Sequence, residues 1–316
     1  MFAVVKHSWA LLLGMLLLMI GNGLQGSLLG VRGGANGFSA FHMSIVMSAY
    51  FAGFLIASRV TPEMIRRVGH VRVFAALGSF ISAVIILYPT FPHPAVWAVE
   101  RIVIGFCFCG VYVTAESWLN NASSNDSRGQ ALSAYMIVQT LGIIIAQGLL
   151  LIPDTSGFLL FVIPSVLVSI AFAPILLSIS PTPAFATTKR MSLLQLYRAS
   201  PLGVVGLLLL GGVFSAQFGM EAVFATEAGL KLTQISMFVA SFYVGALISQ
   251  YPLGWLSDRM DRRRLTAIVA FVGGLAAFVA VVVPGVFGVL LFAAFVVGGA
   301  SNPLYSLLIA YTNDYL

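Results

Sequence analysis

The sequence predicts an all-α, polytopic membrane protein that crosses the bilayer ten times. Three observations lead there. Hydrophobic residues make up 59% of the chain and charged residues only 8%, against about 25% charged in an ordinary soluble domain. Mean hydropathy is +1.01, and a water-soluble fold of 316 residues with so few charges could not cover its own surface. The apolar residues also fall into stretches of about 20, the length a helix needs to cross the hydrocarbon. Helices are the physical solution, because an open sheet edge in lipid would leave backbone groups unpaired.

In chain order the stretches cover about 9–30, 40–60, 71–89, 95–115, 130–152, 157–178, 201–223, 235–255, 265–284 and 286–310. The first lies in MFAVVKHSWALLLGMLLLMIGNGLQG. Its apolar core is longer than that of a secretory signal and no clear A-x-A cleavage site follows, so it reads as a retained span. Only Pro284 and Gly285 separate the last two spans, which predicts a tight turn. With a cytoplasmic N-terminus, alternation places Lys6, Arg59, Arg66, Arg67, Arg72, Arg128, Lys189, Arg190, Arg198, Arg259, Arg262, Arg263 and Arg264 on the inner side. Only Arg32 and Lys231 fall outside, with Arg101 near the outer end of the fourth span. That asymmetry is a strong positive-inside signal and supports the number of spans. The longest loop, 179–200, is Pro/Thr-rich and then basic. It divides the chain into a six-helix bundle (1–178), a cytoplasmic linker (179–200) and a bundle of four helices (201–316).

Several chemistries are excluded. The excess of 16 Lys and Arg over 10 Asp and Glu, +6 in all, sits in short loops between spans and forms no nucleic-acid patch. Cys107 and Cys109 flank Phe108 within an apolar run and point to different helix faces, so they read as plain lipid-facing or packing residues. The four histidines, His7, His42, His70 and His93, are scattered over ends and loops and form no metal set. No Gly-rich phosphate loop, nucleotide site or catalytic triad is present, so no metal or cofactor is expected. Glu100, Glu116 and Glu221 are dispersed, which speaks against a membrane-embedded enzyme.

One short stretch breaks the apolar pattern. Residues 254–264, GWLSDRMDRRR, hold six charges between two spans. The stretch resembles the loop signature of the major facilitator superfamily, G-x-L-A-D-[RK]-x-G-[RK]-[RK]. The match is Gly254, Leu256, Ser257 for the small residue, Asp258, Arg259, Arg262 and Arg263, and Asp261 stands where the second Gly is expected. The superfamily repeats the signature after the second span. Here that stretch reads PEMIRRVGHVRVF, with Gly69 and Arg72 in register, Pro62 in place of the leading Gly and Arg66 in place of Asp. Glu63 is a candidate for the missing acid. VYVTAESWLN, TPEMIRRVGH and PLYSLLIAYTNDYL are similar to the bacterial YcaD-type inner-membrane branch, over essentially the whole chain.

The resemblance implies a two-bundle major facilitator fold of twelve helices, so that spans 11 and 12 are expected to be missing here. It implies conformational latches at the cytoplasmic hinges, with Gly254 allowing close helix approach and Asp258 pairing with basic residues or a helix dipole. Topology enforcement alone is the bland reading of the same arginines. Glu116 and Arg128, flanking the hinge after the fourth span, form a second candidate latch. Arg101 followed by Gly105 matches another family pattern. A charge within a span usually faces a cavity or a partner, although Arg101 is also placed to snorkel to headgroups. Span 5 carries Gly142 and Gly148 but lacks the Gly-Pro pair of drug–proton antiporters, which weakens that reading.

A substrate site is expected near mid-membrane. Candidate lining residues are Asn22, Gln25, Tyr112, Thr114, Gln139 and Gln147 in the first half, and Gln217, Tyr243, Gln250, Asn302 and Tyr305 in the second. Any one of them also fits a helix–helix hydrogen bond. Amides and phenols with few fixed charges suit a small neutral or amphiphilic solute better than a polyanion. Glu100, Arg101 and Glu221 are the candidate coupling groups, the two acids being placed to carry a proton. The expected function is therefore a monomeric, proton-coupled secondary transporter in a bacterial inner membrane, in contact with lipid. A truncated or non-transporting scaffold or assembly protein is the alternative.

Overall fold

The computed structural model describes residues 2–122, 128–153, 157–177, 192–257, 259–283 and 285–315. Its elements are α1 (Phe2–Ala35), α2 (Ala40–Val68), α3 (His70–Thr90), α4 (Pro94–Ala122), α5 (Arg128–Leu149) and α6 (Leu159–Ala171). After them come the short α7 (Ala173–Leu177) and α8 (Leu193–Ala199), then α9 (Pro201–Glu227), α10 (Leu232–Ser257), α11 (Arg262–Val282) and α12 (Phe287–Asn313). Among the described residues, ten helical segments are long and apolar enough to cross a membrane, with α6 and α7 together forming the sixth. All ten overlap the stretches read from hydropathy. Leu208, Phe271 and Val281 lie on their outer faces, more than two-thirds exposed at 75%, 71% and 77%, which only a lipid solvent tolerates over such an area.

Local chemistry sets the helix ends. Ser39 caps α2, accepting a hydrogen bond from the His42 amide at 3.3 Å, which satisfies one of the orphan donors of the first turn. Gly69 joins α2 to α3 at φ +85° while its N–H donates to the Ile65 carbonyl at 2.8 Å; a side chain would be strained there. Gly285, at φ +87°, has the same need in the turn from α11 to α12. Pro284 lies outside the described residues. Pro62, Pro89, Pro164, Pro252 and Pro303 all stand inside helices, which membrane helices accept because neighbours re-satisfy the freed carbonyls.

The chain divides into two compact units. The first comprises Met1–Ala186 with Ala222–Leu232, and the second Thr187–Glu221 with Thr233–Leu316. This boundary passes inside α9 rather than through a linker alone. Its last turns belong with the first unit because α1 is glycine-bearing where they meet. A methyl on Gly30 would stand 2.8 Å from Ala222 Cβ, and one on Gly34 2.8 Å from Thr226 Cγ2.

Within the first unit α2 lies along α4, α1 along α5, and α3 against α4 and α6. Hydroxyls tie these helices: Ser82 Oγ stands 2.9 Å from Ser165 Oγ, and Ser165 Oγ donates to the Ser82 carbonyl at 3.0 Å. The closest crossing is at Gly53 and Gly105. A methyl on Gly53 would run into the carbonyl oxygen of Ile102, and one on Gly105 into that of Tyr50. The second unit repeats this between α10 and α12, where Gly245 meets the Phe295 carbonyl and Gly298 the Phe242 carbonyl. In all four cases the obstructing carbonyl lies three residues before the partner glycine. The second and fourth spans of each half therefore cross by the same device, an internal repeat that the pattern of hinge charges only suggests.

Candidate functional site

In the second unit, one face of α9 presents Phe214, Gln217, Phe218 and Glu221, positions spaced by three or four and therefore neighbours on a helix. The Phe214 and Phe218 rings stack at 5.1 Å and 16°, and Phe218 stacks on Tyr243 of α10 at 6.1 Å and 19°. Tyr243 directs its hydroxyl toward Glu221 Oε1 at 3.5 Å. Glu221 is only 9% exposed, and its Oε2 has no hydrogen-bond partner in the protein. Gln217 accepts from Ser301 Oγ at 3.0 Å, while its Nε2 has no acceptor. Asn302 Nδ2 is likewise buried without a partner, and the Tyr305 ring is tilted against Phe214 at 6.4 Å. Gln250 instead ties α10 to α12, donating to Ser306 Oγ at 3.3 Å.

The first unit holds a different cluster. Asn22 of α1 donates to the Tyr112 hydroxyl of α4 at 3.0 Å. Tyr112 sits among Phe54 and Phe108, with ring centroids at 6.2 and 6.1 Å, and Phe54 leads on to Tyr50 at 6.1 Å. The Arg101 guanidinium lies over the Tyr50 ring, 4.7 Å from its centroid. Arg101 is 4% exposed and Glu100 6%; their Nε and Oε2 atoms have no hydrogen-bond partner. Arg101 is thus buried in protein, against an aromatic face, rather than snorkelling. Gln25 is fully buried with both amide atoms unpaired. Two of the expected lining residues are packing groups. Gln147 accepts from Ser27 Oγ at 3.1 Å, joining α5 to α1, and Gln139 contacts Met136 of its own helix. Thr114 returns its hydroxyl to the Gly110 carbonyl at 2.7 Å.

The hinges are more specific than the sequence suggests. Asp258 lies outside the described residues. Arg262 forms an ion pair with Asp314 at the end of α12 and donates to the Ala310 carbonyl at 3.4 Å. A cleft of about 410 Å³ opens around this pair, lined among others by Asp261, Arg263, Tyr311 and Tyr315. Asp261, which replaces the expected glycine, caps α11 by accepting from the Arg264 amide at 2.8 Å. Arg259 folds back over Trp255, 3.9 Å from the ring centroid. Gly254 does not serve close helix approach: a methyl there would meet nothing within 4 Å.

In the first unit Glu63 does not reach across helices. It clasps Arg66 and Arg67 of its own helix at 2.7 Å, an exposed arrangement that solvent screens. Arg72 is exposed, and Gly69 acts as the turn residue described above. The tie from this hinge to α4 is buried His70, whose Nε2 stands 3.1 Å from Ser117 Oγ. Glu116 is exposed at the end of α4, and the side chain of its expected partner Arg128 lies outside the described residues.

Sequence reasoning missed Tyr50, Phe214, Phe218, His70, Ser301 and Asp314. Asp314 had a usable signal, since alternation of the spans puts the end of the tenth on the same side as the 254–264 hinge. The aromatic residues had none, because Phe in a membrane span is as well suited to lipid as to a site. Among the described residues, no group of three His, Cys, Asp or Glu side chains could hold a metal ion.

A family model described as the Major Facilitator Superfamily matches residues 11–232 and 202–316. The chain is similar to the uncharacterised MFS-type transporter YcaD of Salmonella paratyphi A, 25% identical over 319 residues, covering 98% of this chain and 81% of that one. The corresponding protein of Salmonella arizonae is 26% identical over 310 residues, covering 95% and 78%. Among solved structures, a bacterial homologue of the human lysosomal transporter Spinster, in an inward-facing and unoccupied conformation, superposes with a TM-score of 0.74 at 15% identity, covering 95% and 75%. The nucleoside transporter NupG gives a TM-score of 0.73 at 12% identity, covering 96% and 81%. These two likenesses are of fold.

Proposed function

Because this chain belongs to the Major Facilitator Superfamily, we propose that it is a secondary active transporter that couples movement of a small solute to protons by alternating access. Membership makes it a multi-pass membrane transporter and not an enzyme. The finer reading places it in a bacterial inner membrane as a monomer, with the N-terminus and the arginine-rich hinges cytoplasmic. The 1–178, 179–200 and 201–316 division remains its functional architecture. The observation that carries this reading is that each unit holds ionisable groups buried among spanning helices, Glu100 and Arg101 in the first and Glu221 in the second. Such groups are expensive in a membrane and persist where they serve transport.

The test uses the purified chain reconstituted into right-side-out and inside-out vesicles, with labelled small solutes and an imposed pH gradient. Wild type is expected to show gradient-dependent flux, reduced about tenfold or more in Glu221→Gln, the size of an ordinary coupling energy. Flux that ignores the gradient would overturn proton coupling. Folded protein that moves no solute would favour the scaffold alternative.

The latch is tested separately, because the Arg262–Asp314 pair joins the basic hinge to α12. Both side chains are partly exposed, 30% and 49%, so the pair is worth up to ~1 kcal/mol, about fivefold at most. Arg262→Asp or Asp314→Arg alone should change the initial flux rate by about that factor, and the double exchange should restore it. Rates unaltered by either single variant would confine Arg262 to topology. Asp258→Asn, in the same assay, asks whether that acid also contributes.

A further inference from the structure

The second unit contains a buried acid with no cation to balance it. None of α9, α10 and α12 carries a lysine or arginine, and the three arginines of α11 are confined to its first turn. Glu221 stands near the opposite end of α9 from Pro201. Its Oε2 has no partner in the protein, and burying an unpaired carboxylate is costly. A proton or a cation from outside would relieve that cost, and the surroundings of Glu221 favour the second. Phe214, Phe218 and Tyr243 form one stacked column of aromatic faces, tied to Glu221 by the Tyr243 hydroxyl. Such faces attract cations through their quadrupoles, most strongly where water is absent. A proton alone would need the carboxylate but not the column.

We infer that Phe214, Phe218, Tyr243 and Glu221 form a subsite for the cationic head of an organic solute, an alkylated or aromatic ammonium, with Glu221 as its counter-charge. This rests on the transporter reading and narrows its solute from neutral or amphiphilic to cationic. Phe218 is the most exposed of the four side chains, at 38%, while Glu221 is at 9%. The cation lies against an outer face of the column, with the Glu221 carboxylate as its counter-charge. Gln217 Nε2, the unspent donor one turn away on the same helix face, is placed to hold an acceptor on the same solute.

The experiment measures binding rather than flux, on the purified full chain, by equilibrium dialysis. The probe is labelled tetraphenylphosphonium, and triphenylphosphine oxide is the uncharged aromatic control. Wild type should bind the cation at least about tenfold more tightly than the control, a difference in keeping with a desolvated cation–π and charge contact. Glu221→Gln should erase that preference, Glu221→Asp should keep most of it, and Phe218→Leu should weaken cation binding while leaving the control unchanged. Should Glu221→Gln not fold, Glu221→Asp and Phe218→Leu carry the test. Equal binding of the two probes, no binding of the cation, or wild-type cation binding by folded Glu221→Gln would each overturn the subsite. The two readings fail differently. Cation binding without flux of any solute would sink the transporter reading and leave the subsite standing. Gradient-dependent flux of a solute together with equal binding of the two probes would do the reverse.

Discussion

Leucine at Gly105 or Gly298 is expected to abolish recovery of folded, monodisperse protein, and alanine at either to lower its stability by about 1–3 kcal/mol. The alanine result runs against local preference, since Gly→Ala in a helix interior ordinarily gains roughly 0.8–1.0 kcal/mol. Packing wins because the added methyl would strike the Tyr50 carbonyl at one crossing and the Phe242 carbonyl at the other. A carbonyl in a membrane helix cannot turn aside without breaking its own hydrogen bond, so α2 and α4, or α10 and α12, must move apart. Gly274→Ala is the control, because a methyl there meets nothing within 4 Å, and it should hold or raise the melting temperature. Gly53→Ala with Gly105→Ala should cost less than the sum, since the first change already separates the crossing. Gly105→Ala with Gly298→Ala should add, the two crossings lying in different units. Thermal melting of purified protein decides it, and a Gly105→Ala protein melting with Gly274→Ala would show that the crossing tolerates a side chain.

Arg101→Gln should separate activity from stability. Flux is expected to fall by about tenfold or more, while the melting temperature stays at or above that of wild type. Arg101 is held among spanning helices at an energetic loss. Its guanidinium has the Tyr50 face at 4.7 Å, worth up to ~2 kcal/mol when desolvated. Its Nε lacks a partner, and among the described residues it forms no ion pair. Removing a charge that is incompletely compensated relieves that loss, and such trade-offs concentrate at working sites. Tyr50→Leu, which deletes the ring beneath the charge, should destabilise the protein where Arg101→Gln does not. Both measurements belong on the same preparation. Full flux in Arg101→Gln would end the functional assignment, and joint loss of flux and melting transition would make Arg101 structural.

The corrections at the hinges follow one rule. Gly254 and Glu63 are read from a linear signature, in which a glycine implies contact and an acid implies a latch. Glu63 is instead taken up by arginines three and four residues away, and Asp261, the departure from that signature, satisfies an amide of its own helix end. Local partners reach an acid first because they cost no further ordering of the chain. The partner that does span two helices, Asp314, stands 52 residues from Arg262, and only folding brings it there.

Composition and hydropathy alone determined that the protein is helical and carries ten stretches long and apolar enough to cross a membrane, because in lipid the backbone must pair internally and twenty apolar residues are the length of one crossing. The 254–264 signature was enough to point to the superfamily, since its residues follow one another in the chain. What only the tertiary structure decided is which helix faces turn inward. In a soluble helix the apolar stripe marks the buried side, but lipid accepts the same residues as a protein interior does. Phe218 and Phe271 are thus equivalent in sequence, while one stacks on Tyr243 and the other stands 71% exposed on the outer face. The glycine crossings and the aromatic column beside Glu221 depend on contacts between helices distant in the chain, and hydropathy carries no record of those.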